Sequence, residues 1–172
     1  MTNLIPLHVH SEYSLLDGMI RVGDLVKYAK EKELPAIAIT DHGVMYSAVE
    51  FYELAKHAGI NPLIGCEFYV NSGDIHVHDS ANNPLYHLIL IAKDNKGYKN
   101  LIKLVSTAWC EGFYYKPRIN FELLKEYHEG LICSSACLGG EVLQHLMKNE
   151  YDQAKEVAKR YKELFGDDYY IE

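Results

Sequence analysis

Long apolar runs are missing from this 172-residue sequence: the best stretches, residues 88–92 and 36–39, fall far short of the roughly 20 residues that a membrane-spanning helix needs. The first residues carry no basic stretch followed by an apolar one, so neither a membrane anchor nor an export signal is expected. Cations are scarce too. Lys and Arg number 17 against 24 Asp and Glu, a formal charge of −7, which is the wrong sign for a protein that grips nucleic acid by general electrostatics. Any contact with DNA must then be local or metal-assisted. Cysteine is limited to Cys66, Cys110, Cys133 and Cys137 with no C-x-x-C pair, which excludes a disulfide framework and fits the buried thiols of a cytoplasmic protein. Low-hydrophobicity tracts are also lacking; with 48% apolar and 24% charged residues, one folded globular unit is expected.

What the sequence does have is histidine, nine in all. Short apolar runs at 4–9 and 36–40 end in polar, ligand-type residues, and between them 22–34 carries apolar residues at helical spacing, a β-α-β unit. A second helical segment at 46–57 closes at Gly59 before a strand at 62–70. The polar stretch 71–84 has no apolar period; a strand at 86–92, a helix at 96–110 and an aromatic loop at 111–118 follow. A short helix at 121–127, a strand at 131–134, helices at 141–147 and 151–164 and a last strand at 168–172 complete the chain. Strands alternating with helices favour an α/β fold with a mostly parallel sheet, and ligand-type residues recurring at several strand ends favour a barrel-like over an open sheet. The strand carrying His87 is the exception: no crossover helix precedes it, so it is expected to run antiparallel to its predecessor.

His8-Val9-His10 puts two imidazoles on one face of an extended segment, about 6.6 Å apart along it, where both reach one cation; two surface histidines at a strand end is the alternative. Asp41-His42 follows an apolar run at once, where a parallel strand delivers functional groups, although an Asp-His pair opening a turn reads equally well. Glu67 sits inside Ile64-Gly65-Cys66-Glu67-Phe68-Tyr69-Val70, where an unpaired carboxylate costs several kcal/mol to bury, so it calls for a cation and can bridge two. Asp17, before Gly18, also reads as a turn residue. Cys137 lies in a strand-to-helix turn, where a helix N-terminus favours thiolate; a metal ligand ranks ahead of a nucleophile or a merely buried thiol. His57, His76, His78, His128 and His145 read as surface or packing residues. Imidazole, carboxylate and thiolate donors together suit Zn, Mn or Fe better than Mg or Ca, and the chemistry that follows is hydrolysis of a phosphoester. The aromatic-basic stretches 96–103 and 114–118 read as solvated faces before they read as a DNA track.

The series His8-Val9-His10-Ser11, Asp17-Gly18, Thr40-Asp41-His42-Gly43, Gly65-Cys66-Glu67, Tyr86-His87-Leu88 and Ser135-Ala136-Cys137-Leu138-Gly139-Gly140 resembles the PHP (polymerase and histidinol phosphatase) family along essentially the whole chain. Its branch of amino-terminal domains of bacterial DNA polymerase III alpha subunits fits best. The resemblance implies a distorted β/α barrel, incomplete at its C-terminal end, in which His8, His10, Asp17, His42, Glu67, His87 and Cys137 occupy metal positions, two or three divalent ions bind in the complete domain and Glu67 bridges. It implies a single domain over 1–172 whose last β/α units, with a late Asp and a late His, lie beyond Glu172. It further implies a cytoplasmic replicase component that works with other subunits and hydrolyses single-stranded DNA at a 3′ end by 3′–5′ exonuclease proofreading. The alternatives are a scaffold that docks a separate exonuclease and a stand-alone phosphatase of the histidinol-phosphate type.

Overall fold

A computed structural model describes residues 4–15, 17–79 and 82–172. The chain folds as α1 (Val22–Glu31), β1 (Ala36–Ile39), α2 (Ala48–Ala58), β2 (Asn61–Asn71), β3 (Leu85–Ala92), α3 (Asn95–Cys110), β4 (Arg118–Asn120), α4 (Phe121–Tyr127), β5 (Leu131–Ser134), α5 (Glu141–Met147), α6 (Tyr151–Phe165), a 3-10 turn (Gly166–Asp168) and β6 (Tyr169–Tyr170). No helix among the described residues is long and apolar enough to cross a membrane.

The strands form one six-stranded sheet in the order β1-β2-β3-β5-β6, with β4 also paired to β2. Strand β2, 11 residues long, has room on one edge for β1 at its start and β4 at its end, both parallel to it, with a single bridge from His42 to Glu67 between them. As the missing crossover helix implied, β3 runs antiparallel to both β2 and β5.

Alternation along β2 and β3 places the site. Cys66, Phe68 and Val70 with Leu88 and Leu90 pack under Leu101 and Leu104 of α3, Leu124 of α4 and Val157, Tyr161 and Phe165 of α6. With a two-residue side-chain period, Glu67, Tyr69 and His87 must then face the other way. A second core joins Ile37 and Ile39 of β1 to α1 and α2 through Val22, Leu25, Ala29, Phe51 and Ala55. Side-chain caps start two helices: Asp94 accepts from Gly97 N at 2.8 Å ahead of α3, and Asn120 accepts from Leu123 N at 3.1 Å ahead of α4.

Three expectations need correction. Residues 4–9 run beside β1 but make no strand ladder: Pro6 has no N–H to give, and Val9 N donates to the Thr40 hydroxyl at 2.8 Å instead of to a carbonyl. The aromatic loop ends one residue inside a strand, since Arg118 opens β4. The last strand is reduced to Tyr169–Tyr170 after a 3-10 turn. The sheet is curled but not closed. The segment before α1 and the residues after β6 meet side chain to side chain, His8 Nδ1 lying 2.9 Å from Glu172 Oε1, with no ladder between them.

Candidate metal centre

Glu67 is the centre of the inner face, its side chain fully buried and met by four imidazoles. Oε1 lies 3.4 Å from His8 Nε2 and 2.7 Å from His87 Nδ1; Oε2 lies 3.1 Å from His10 Nε2 and 2.6 Å from His42 Nδ1. Burial alone would raise the Glu67 pKa, but the four imidazoles outweigh it and hold the carboxyl far below the usual range. Burial would likewise lower His8, yet contacts with the Glu67 and Glu172 carboxylates raise it to about 8. His42 is shifted upward in the same way, by Glu67 and Asp17 acting against burial.

Several of these contacts are poor hydrogen bonds. His42 Nδ1 and Glu67 Oε2 are buried without a hydrogen-bond partner although only 2.6 Å apart, so the approach is close but misdirected, and His10 Nδ1, the ring nitrogen not directed at Glu67, is buried without one too. His8 Nε2 and His10 Nε2 also face each other at 3.1 Å. Buried nitrogens and carboxylate oxygens crowded together without satisfying one another are the arrangement a cation would satisfy. Two sets, His8 with His10 and Glu67, and His42 with Glu67 and His87, each offer three ligand atoms within 4.8 Å of one another, and they share Glu67. The residues present therefore fit divalent metal binding.

The other two expected ligands sit at the rim. Asp17 Oδ2 is 2.9 Å from His42 Nε2, on the side of the ring away from Glu67. Cys137 Sγ is 3.5 Å from His87 Nδ1 and 3.7 Å from Glu67 Oε1. Burial and the nearby Glu67 charge push its thiol pKa up, against the lowering by the Gly139 backbone N–H. Helix α5 begins at Glu141, four residues after Cys137.

Residues around the cluster set its shape. Asp41 is no ligand; it is buried and accepts from Ser11 N at 2.6 Å and from the hydroxyls of Ser11, Ser14 and Ser47. Ser14 in turn accepts from His42 N at 3.1 Å, so one carboxylate ties together the segments bearing His10, Asp17 and His42. Gly139 leaves room for His87, since a Cβ there would lie 3.0 Å from its Cγ and Nδ1. Glu172, which nothing in the sequence marked, accepts from Ser134 Oγ at 2.6 Å and engages His8 Nδ1, leaving His8 Nε2 toward Glu67. Tyr69 packs on His42 at 6.0 Å between ring centroids and edge-on to His87 at 5.3 Å; burial and the Glu67 charge push its phenol to about 12. The remaining histidines behave as packing or surface groups: His145 pairs with Glu150 and His78 stacks on Tyr114.

A model of the PHP domain matches residues 6–172. The chain belongs to the PHP family. Within it, this PHP chain is similar to the amino-terminal region of DNA polymerase III alpha subunits. It is 46% identical to the alpha subunit of Borreliella burgdorferi over 99% of its length, and 47% identical to that of Deinococcus radiodurans over 96%. It spans only 15% and 13%, respectively, of those relatives. Among solved structures, an amidohydrolase from Chromobacterium violaceum is 24% identical, with a TM-score of 0.44 over 60% of this chain and 32% of that one.

Proposed function

We propose that this PHP chain is the metal-binding part of a phosphodiesterase acting on single-stranded DNA 3′ ends, the 3′–5′ exonuclease proofreading site of a DNA polymerase III alpha subunit that works with other replicase subunits. The observation that carries this reading is Glu67, a fully buried carboxylate with imidazoles on both oxygens. His8 and His10 on one side and His42 and His87 on the other would hold two divalent transition ions, Zn, Mn or Fe, with Glu67 between them and Asp17 and Cys137 completing the rim. When bound, such ions supply Lewis-acid stabilisation of charge on phosphoryl oxygens and a lowered pKa for water.

The chain's own residues do the rest. Glu172 and Asp17 sit on the outer nitrogens of His8 and His42, fixing ring orientation and making the inner nitrogens better donors. Tyr69 covers His42 and His87 with its ring, excluding water from that side, and its phenol stays protonated at neutral pH. Lys116 Nζ, 5.1 Å over the Tyr69 ring, places a cation at the mouth of the site. In a chain of net charge −7 that local charge is what a phosphate would meet.

The test is metal analysis of the purified chain together with release of mononucleotides from a 3′-labelled single strand. Co-purifying transition metal and 3′ release, both lost in Glu67→Ala, are expected. A chain that takes up no transition metal, or whose 3′ release survives Glu67→Ala, would overturn the proposal.

A further inference from the structure

Beside the metal-ligand cluster lies a cleft of about 640 Å³ whose lining includes Asp17, His42 and His87, so it is continuous with the site above. Its other walls carry six aromatic rings, Tyr13, Tyr46, Tyr69, Trp109, Phe113 and Tyr115. We propose that this cleft is a stacking subsite for the unpaired bases of single-stranded DNA, holding them while the adjoining phosphodiester faces the histidines. The proposal rests on the phosphodiesterase reading and adds how the strand is held.

Four of these rings are exposed, whereas Tyr69 is buried. Trp109 is 42% and Phe113 47% exposed, Tyr46 66% and Tyr115 78%, far more than a core needs to leave in water. Trp109 Nε1 donates to Gly43 O at 2.8 Å, which sets its plane, and Phe113 lies nearly parallel to it at 5.3 Å. Gly43, at φ +63, is needed at that turn: a Cβ would fall 2.6 Å from the Pro117 ring that continues the cleft wall. Tyr115 is held in the left-handed region at φ 58, a costly conformation for a tyrosine that its surroundings maintain. The brace is Arg118, 2% exposed, whose guanidinium donates only to backbone carbonyls: Gly112 O at 2.8 Å, Val77 O at 3.0 Å and Ile75 O. An arginine that bonds back to Gly112 at the start of its own loop and across to the 75–77 segment, with no carboxylate partner in that set, braces residues 113–117.

The occupant follows from the chemistry of the walls. Flat, exposed π-faces take bases by stacking with little regard for sequence, and they need bases already unpaired. Lys116 supplies a single cation where the backbone would pass, and the ligand cluster next door supplies the place for an ester. A duplex, whose base faces are buried in its own stack, has nothing to offer these rings.

Trp109 is the sole tryptophan of the chain, so its fluorescence reports on the cleft alone. The experiment titrates the chain, in chelator so that no ester is cleaved, with an eight-nucleotide oligothymidylate, an abasic strand of equal length, a duplex and an oligouridylate. Saturable quenching by oligothymidylate is expected, with the abasic strand and the duplex binding at least about tenfold more weakly. Phe113→Ala and Tyr115→Ala should each weaken binding about tenfold. Lys116→Ala should lower the slope of log affinity against log salt by about 1. Tyr52→Ala, on the outer face of α2, should change nothing, and circular dichroism confirms that the variants fold.

Equal affinity for the abasic strand, preference for oligouridylate, absence of quenching, or unchanged binding by Phe113→Ala and Tyr115→Ala would each overturn the subsite. Self-association of the chain abolished by those two substitutions would assign the cleft to a second copy instead. Hydrolysis of bis(p-nitrophenyl) phosphate by the zinc-loaded chain without strand binding would sink the subsite alone. Base-dependent quenching in a chain that never cleaves an ester would sink the hydrolytic reading and leave the subsite standing.

Discussion

Glu67 has its charge balanced only by groups that are themselves titratable, and this makes the metal-free chain sensitive to pH. His8 is raised to about 8 in the fold from an ordinary value of about 6.5. A raised imidazole stabilises the fold fully below about pH 6.5, and the contribution disappears as pH rises through about 8. The melting temperature of chelated chain should therefore fall across that interval, and His8→Gln should flatten the fall. Metal-loaded chain should show the opposite trend, because protons compete with ions for the same nitrogens. Glu172 acts one step further out: Glu172→Gln should weaken transition-metal affinity about 10- to 100-fold, measured by competition with a chromophoric chelator, while the fold persists. Asp41 is the residue whose role is purely mechanical. Asp41→Ala would strip the Ser11, Ser14 and Ser47 hydroxyls of their shared acceptor and cost about 3 kcal/mol in denaturant unfolding.

At the level of elements, β2 and β3 were readable because each is a short, mainly apolar run bounded by polar, turn-forming residues. Residues 131–134 and 141–147 form the strand and helix expected of them, and α1, α2 and α3 differ only at their ends. Misreadings fall where a side chain replaces a backbone partner or a charge is buried. Thr40 Oγ1 takes the role of a ladder carbonyl for Val9, and Arg118, expected on a solvated face, spends its charge on three carbonyls inside the protein. The other basic stretch, 96–103, does lie on an exposed face of α3, with Lys96 paired to Glu129. Because Arg118 clasps two loops, Arg118→Met should cost about 3 kcal/mol and speed amide exchange in residues 75–79 and 112–117. Leu104→Ala, a fully buried position of α3 on the opposite side of the sheet, should cost about 2–5 kcal/mol and leave metal affinity per folded molecule unchanged.

Across the whole molecule, two segments outside the strand ladders supply the two halves of one contact, His8 and Glu172, while Glu67 joins histidines from three separate stretches. A metal held there would cross-link the His8–His10 segment, which joins no strand ladder, to the paired strands β2 and β3. At metal concentrations about 100-fold above the dissociation constant, the loaded chain should gain about 2.7 kcal/mol of stability over the chelated one, seen as a raised melting temperature.

By itself the sequence determined the alternating elements, the antiparallel β3 and the candidates for ligation, because period, turn chemistry and the cost of burying a carboxylate are written in neighbouring residues. Only the tertiary structure decided that Asp17 and Cys137 stand at the rim, that Asp41 braces instead of ligating, and that Glu172 and the aromatic loop attend the site. Those are contacts between segments distant along the chain, set by how the sheet curls and by which atoms it leaves unsatisfied, and no local pattern encodes a distance of that kind.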